Sequence, residues 1–211
     1  MIRKFLEIIF FYLGIYYKRN YSLSGEDIVL KRLLEKLNIK KGFYVDVGAF
    51  NPSRFSNTKL LYKRGWSGMN IEPFSIFPFK IWRRRDINIK CAISDMNCFK
   101  YLNIAKDKAH NSFIKEFGEG NIRVPTVTLK QLLEEYDIKN IDVLDIDVEF
   151  HDYEVLMSHN WNIKPLFILI EIANDDVEET FKNPIYIFLK DKGYKLRSVC
   201  MDTLIWELIK K

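Results

Sequence analysis

The sequence predicts an α/β fold, a mostly parallel sheet with helices on both faces. Three observations carry this reading. From Ser24 onward, short β-rich runs alternate with stretches of helical periodicity. The runs Ile141–Asp147 (IDVLDID) and Leu166–Ile172 (LFILIEI) are the most hydrophobic strands, as strands at the centre of a parallel sheet are. Acids also recur where the early strands run out.

The first helix follows Ser24, read as an N-cap with Asp27 three residues on. Ile28, Leu30, Leu33, Leu34 and Leu37 then fall at helical spacing. Gly42–Gly48 (GFYVDVG) is a first strand. Ser56-Asn57-Thr58 caps a helix through Leu60, Leu61 and Tyr62, and Gly65 ends it. Met69–Glu72 is a second strand, Phe74 to Arg85 a helical or irregular stretch, and Ile87–Ile93 a third strand. Phe99–Ile104 and Arg123–Val127 are shorter strands, and Leu129–Tyr136 is a helix. Tyr153–Met157 places a helix between the two apolar strands. Val177–Lys190 reads as one further helix, and Lys195–Val199 with Leu204–Leu208 as a closing hairpin.

The chain of 211 residues reads as one domain at 24–211, preceded by an amphipathic helical segment at 1–23. That segment carries Arg3, Lys4, Lys18 and Arg19 around an aromatic, apolar stretch. No small-residue cleavage site follows, which argues against a signal peptide. Two readings stand: a helix packed on the domain or on a second copy of it, or a helix at a membrane interface. Its longest apolar run, Ile8–Tyr17, is about half a membrane-spanning length. With 3 cysteines and no CxxC pair, a disulfide framework or structural zinc site is disfavoured. The expectation is a reducing cytoplasm, with peripheral contact at the inner face of the membrane open. The net charge of +5 is no nucleic-acid signature by itself.

In a parallel sheet, ligands bind beyond the carboxyl ends of the strands. The ends here carry Asp46-Val47-Gly48, Glu72, Ser94-Asp95, Asp145-Ile146-Asp147 and Glu171. Gly48 lets backbone approach a ligand, but Val45–Pro52 (VDVGAFNP) is neither a GxGxxG fingerprint nor a phosphate loop. Glu72, at the end of the second strand, suits both hydroxyls of a ribose.

Taken together and in order, several segments resemble the FkbM family of S-adenosylmethionine-dependent methyltransferases. These are Ser22 with Gly25-Glu26-Asp27, Tyr44-Val45-Asp46-Val47-Gly48-Ala49, Ser56-Asn57-Thr58, Arg64-Gly65-Trp66-Ser67-Gly68, Asn70-Ile71-Glu72-Pro73, Ile93-Ser94-Asp95 and Ile146-Asp147-Val148-Glu149. The resemblance runs from about Ser22 to about Glu171. It implies a class I methyltransferase (Rossmann-like) fold, with a seven-stranded sheet and a reversed last strand. It implies a cofactor site of Ser22, Asp46, Gly48, Asn57, Glu72, Ser94 and Asp95. In that site Asp46 and Gly48 line the methionine end, Glu72 holds the ribose and Ser94-Asp95 lies by the adenine. It also implies O-methylation of a sugar, free, nucleotide-linked or in a surface polysaccharide, with no nucleic-acid partner. One departure stands out. The family reads Asp-Val-Glu-Gly-x-Glu after the fourth strand, whereas here Phe150 replaces the glycine and Asp152 the second glutamate.

A sugar hydroxyl is a poor nucleophile at neutral pH, so a base or a metal must help remove its proton. Asp147, Glu149 and His151 are the catalytic candidates, with Asp152 beside them. Asp147 and Glu149 are also oxygen ligands suited to a hard divalent cation. Arg83-Arg84-Arg85 reads as a solvated helix face or a grip for a diphosphate. Trp66 and Trp82 read as core or as platforms for sugars. His110 is a further candidate base, and His159 reads as structural. Two other functions share the ribose-holding acid: a nicotinamide-dependent oxidoreductase, and a nucleoside-cofactor-binding protein without methyl transfer.

Overall fold

The computed structural model describes residues 9–10, 12–13, 20–106, 108–114, 120–172 and 176–209. Most of the N-terminal segment lies outside them, so the expectation for its helix is not addressed by the described residues. None of the described helices is long and apolar enough to cross a membrane.

Seven strands form the main sheet: β1 (Phe43–Val47), β2 (Ser67–Ile71), β3 (Ile87–Ile89), β7 (Val143–Ile146), β8 (Phe167–Glu171), β9 (Tyr194–Cys200) and β10 (Thr203–Leu208). Their order is β3-β2-β1-β7-β8-β10-β9. Neighbours pair in parallel from β3 through β8. β10 inserts between β8 and β9 and runs antiparallel to both. The sheet is therefore mixed but mostly parallel, and its last strand is the reversed one.

Helices cover both faces, and strand alternation explains how. On one face α1 (Glu26–Lys36) and α2 (Lys59–Lys63) pack Leu30, Leu33, Leu34 and Leu61 on Tyr44, Val143, Phe167, Leu169 and Ile205. On the other, α4 (Leu129–Glu135), α5 (Asp152–Met157) and α7 (Pro184–Asp191) bring Leu132, Leu133, Val155, Leu156, Ile185 and Leu189 to Val45, Leu144, Ile146, Ile168 and Ile170. Each such fully buried side chain contributes about 1.5–3 kcal/mol. The two short helices α3 (Phe77–Trp82) and α6 (Val177–Thr180) complete the set.

The structure corrects several sequence expectations. Helix α1 starts at Glu26 behind Gly25, whose φ of 90° lies in the left-handed region, with no side-chain cap. Ser24 does not cap it, and Asp27 instead accepts hydrogen bonds from the Tyr21 backbone N–H (2.9 Å) and the Ser22 hydroxyl (2.9 Å). The run Ile87–Ile93 breaks into β3 and β4 (Ala92–Ile93). β4 leaves the main sheet and joins β6 (Gly120–Val127) and β5 (Cys98–Ile104) in a separate three-stranded sheet. The span Val177–Lys190 is two helices, because Asn183 caps Ile185 (2.9 Å) and Pro184 restarts the turn.

Arg83 is no solvated residue but is fully buried. It donates to the Pro52 carbonyl (3.0 Å), the Tyr44 hydroxyl (2.8 Å) and the Ser56 hydroxyl (2.8 Å), and pairs with Asp86 at 3.8 Å. One guanidinium thus ties the loop after β1 to the strand itself and to the turn before β3. Asp86 also accepts from the Tyr44 hydroxyl, the Gly68 N–H and the Asn70 amide, so the buried charge is fully coordinated.

Candidate functional site

A cleft with about 550 Å³ of space, part of it open solvent, lies at the carboxyl ends of β1, β2 and β7, between the main sheet and the small one. Gly48 and Phe50 form one wall, Ile71, Glu72 and Pro73 a second, and Ala92, Ile93 and Phe113 a third. Asp147, Val148 and Glu149 close the far end.

The chain reaches this geometry through a contact between two strand ends. Gly48 has φ 83°, and a Cβ on it would overlap the Asp147 carbonyl oxygen. Its N–H donates to Ile71 (3.0 Å), as does that of Ala49 (3.1 Å), which closes β1 against β2. Glu72 follows directly and is nearly buried. Its carboxylate accepts from the backbone N–H of Phe50 (3.0 Å), Phe74 (2.6 Å) and Ser75 (3.4 Å). Burial raises its pKa against those three donors, which favour the charged form. Oε1 takes two of these donors and Oε2 one, so Oε2 keeps a lone pair with which the group can still accept from a ligand.

At the opposite end stand three acids. Asp147, Glu149 and Glu171 each offer an oxygen within 4.8 Å of the others. Asp147 opens to solvent through the cavity, yet the protein around its other sides raises its carboxyl well above the usual range, with the charge of Glu171 adding to this. Glu171 is pushed up to about 7 by burial first, and then by Glu149 and Asp152. The three oxygens match the ligand type of Mg²⁺ or Ca²⁺. Without a cation, a proton shared between Asp147 and Glu171 relieves the same repulsion.

The backbone here is unusual. Glu149 (φ 54°) and Phe150 (φ 70°) are consecutive non-glycine residues in the left-handed region. The Ser112 hydroxyl donates to the Glu149 carbonyl (2.7 Å) and holds the turn. Phe150 is half exposed.

Of the sequence-derived candidates, Gly48, Glu72, Asp147 and Glu149 meet on the one cavity. Ser22, Asp46, Asn57, Ser94, Asp95 and His151 are not among its lining residues. Ser22 is tied to Asp27. Asp46 accepts from the Thr58 hydroxyl (2.5 Å), and Asn57 donates to Asp145 (3.0 Å). Both pairs lie beneath the loop after β1. Burial raises the Asp46 carboxyl to about 6. Ser94 is buried and accepts from Lys100 Nζ (2.6 Å), and its hydroxyl bonds Asp95 (2.9 Å). His151 Nε2 lies 3.0 Å from the same hydroxyl, and its Nδ1 lies 3.6 Å from Glu154. Burial lowers the His151 pKa and favours the neutral ring. His110 is exposed on a short 3₁₀ turn. His159 is buried, accepts from the Trp161 N–H (2.7 Å) and stacks on its ring, a packing role.

The sequence marks Glu171 as a strand-end acid but not as a catalytic or metal-ligand candidate. The signal was present, because it ends β8 as Asp147 follows β7. What the sequence lacked was the adjacency of β7 and β8, which brings the two acids together.

Two comparisons with known proteins, the curated proteins and the solved structures, give no match. A family model described as the methyltransferase FkbM domain matches residues 46–196, most of the chain. The match includes every residue that lines the cavity, from Val47 to Glu149.

Proposed function

The chain belongs to the FkbM methyltransferase family, and from that premise we propose that it is an S-adenosylmethionine-dependent O-methyltransferase acting on a sugar hydroxyl. The sugar belongs to a surface polysaccharide or its nucleotide-linked precursor, and the enzyme works in the cytoplasm, in reach of the inner face of the membrane. The strand order, with its reversed strand between β8 and β9, supports a class I methyltransferase fold.

One observation carries this reading: a buried carboxylate and a carboxylate cluster face each other across one cavity. The residues fit the cofactor. Glu72 can accept from a ribose hydroxyl through Oε2, Ile71, Ala92, Ile93 and Phe113 offer apolar walls to an adenine, and Gly48 leaves space for the chain between. When bound, the cofactor supplies a methyl group already activated on a sulfonium.

The protein's remaining work is to align the acceptor and take its proton. Alignment alone can supply about 7–11 kcal/mol. Asp147, Glu149 and Glu171 lie where an acceptor hydroxyl would meet the cavity. A carboxylate titrating close to neutrality, as Glu171 does, is well matched to proton removal. His151 is the other base in this reading. Its neutral ring can accept a proton, although Ser94 already holds Nε2.

Methyl transfer from labelled S-adenosylmethionine to a panel of bacterial saccharides and nucleotide sugars tests the proposal. Glu171→Gln should lower kcat by roughly 10²–10⁴ if that carboxylate is the base, with His151→Ala lowering it by less than tenfold. The reverse ranking assigns the base to His151. Loss of activity on chelation, restored by Mg²⁺, assigns proton removal to a cation held by the cluster. No transfer to any hydroxyl compound would refute the function.

A further inference from the structure

A second cleft lies apart from the cofactor cavity and shares no lining residue with it. It is formed by Asn20–Ser22, the loop between β1 and α2, α2 itself, and the end of α3. It holds about 1240 Å³ of space open to solvent. We propose that this cleft binds a phosphate-bearing saccharide.

The charge of the lining comes first. Arg54, Lys59, Lys63 and Arg85 all face the cleft, and none of its lining residues is an acid. Arg54, Lys63 and Arg85 have no carboxylate partner among the described residues. They are held by rings and oxygens instead. Arg54 lies 4.4 Å over Phe55, and Arg85 4.0 Å over Tyr62 while donating to the Tyr62 carbonyl (2.7 Å). Lys63 lies over Tyr21 and donates to its hydroxyl (2.9 Å). Cations so placed and left without counter-charge form a preorganised anion site. Guanidinium forks beside an ammonium suit the oxygens of a phosphate.

The aromatic side of the cleft identifies the rest of the ligand. Phe55, Tyr62 and Tyr21 each carry a cation over one face. Trp82 differs: it is 64% exposed and its ring meets no other ring or cation among the described residues. An open indole beside an anion site matches the apolar C–H face of a pyranose next to its phosphate. A run of stacked bases would need several open rings. A bilayer would need a convex surface, and this one is concave.

The cleft and the cofactor cavity meet across one loop. Phe50 lines the cavity and Phe55 the cleft, their rings stacked at 6.4 Å, and buried Arg83 fixes the loop that carries both. The inference needs only the cleft and holds whether or not methyl transfer is the activity.

Calorimetric titration with glucose 1-phosphate and with UDP-glucose tests it, on the full chain and on two variants. One is Arg54→Gln/Lys63→Gln/Arg85→Gln; the other is Trp82→Ala, which keeps every charge. At least one sugar phosphate should bind, more tightly than inorganic phosphate. The triple variant should weaken binding by more than about tenfold and Trp82→Ala by severalfold. Similar affinity for both ligands means that the sugar phosphate itself is recognised. Tighter binding of UDP-glucose means a nucleotide-linked source. No binding of either ligand at millimolar concentration overturns the proposal, as does binding unchanged in both variants. So does tighter, cleft-dependent binding of a uridine oligonucleotide or of phosphatidylglycerol vesicles.

Discussion

Gly48 and Asp147 are pressed together at the ends of β1 and β7, so closely that the glycine has no room for a Cβ against the aspartate's carbonyl oxygen. Both residues line the cavity at this junction. Gly48→Ala adds an overlap to a φ of 83°, and should destabilise the fold by about 2–4 kcal/mol. Urea denaturation measures it, and an unchanged midpoint would mean that the two strand ends do not meet this way.

Arg83 offers a second test. Replacing it with Met strands Asp86 as a buried, unpaired charge and frees the Pro52 carbonyl and the Ser56 hydroxyl. The expected cost is about 3–5 kcal/mol. A loss under 1 kcal/mol, as for an exposed arginine, would contradict the burial.

Asp46 makes stability depend on pH. Burial lifts its carboxyl from 3.8 to about 6 in the fold, so the folded chain holds the proton more tightly than the unfolded chain does. The stability gained by keeping that proton is complete below pH 3.8 and is lost as pH rises through about 6. Asp46→Asn removes this loss. Its stability relative to the parent should climb from about pH 4 to pH 7 in thermal melts. Parallel pH profiles would show that Asp46 ionises freely in the fold.

Phe150, where the resemblance to the family leads one to expect glycine, has a φ of 70°. Phe150→Gly relieves the left-handed strain and should raise stability by about 1 kcal/mol, since the side chain is half exposed. The same change should raise KM for the acceptor if the ring borders its site. A fall in melting temperature would mean that the ring packs more than it strains.

Much of this was legible in the sequence. Strand ends marked by Gly48, Glu72 and Asp147 located the cavity, because period and polarity are local properties. The separate sheet was not legible, since β4 spans only Ala92–Ile93 and continues the pattern of β3 without a break. Arg83 sits within an arginine run that reads as surface, and only the crossing of the β1 loop over α3 buries it. Glu171 and Asp147 are distant in sequence and become a pair through strand order alone. The groups that escaped the sequence are those whose partners come from distant segments.

The central claim is that Glu72 holds a nucleoside cofactor, and titration with S-adenosylhomocysteine tests it most directly. The parent chain should bind it. Glu72→Gln, checked for folding by thermal melt, should weaken binding by about 10- to 100-fold, the loss of a charged acceptor for a ribose hydroxyl. No binding to the parent, or equal affinity in both proteins, would contradict the account.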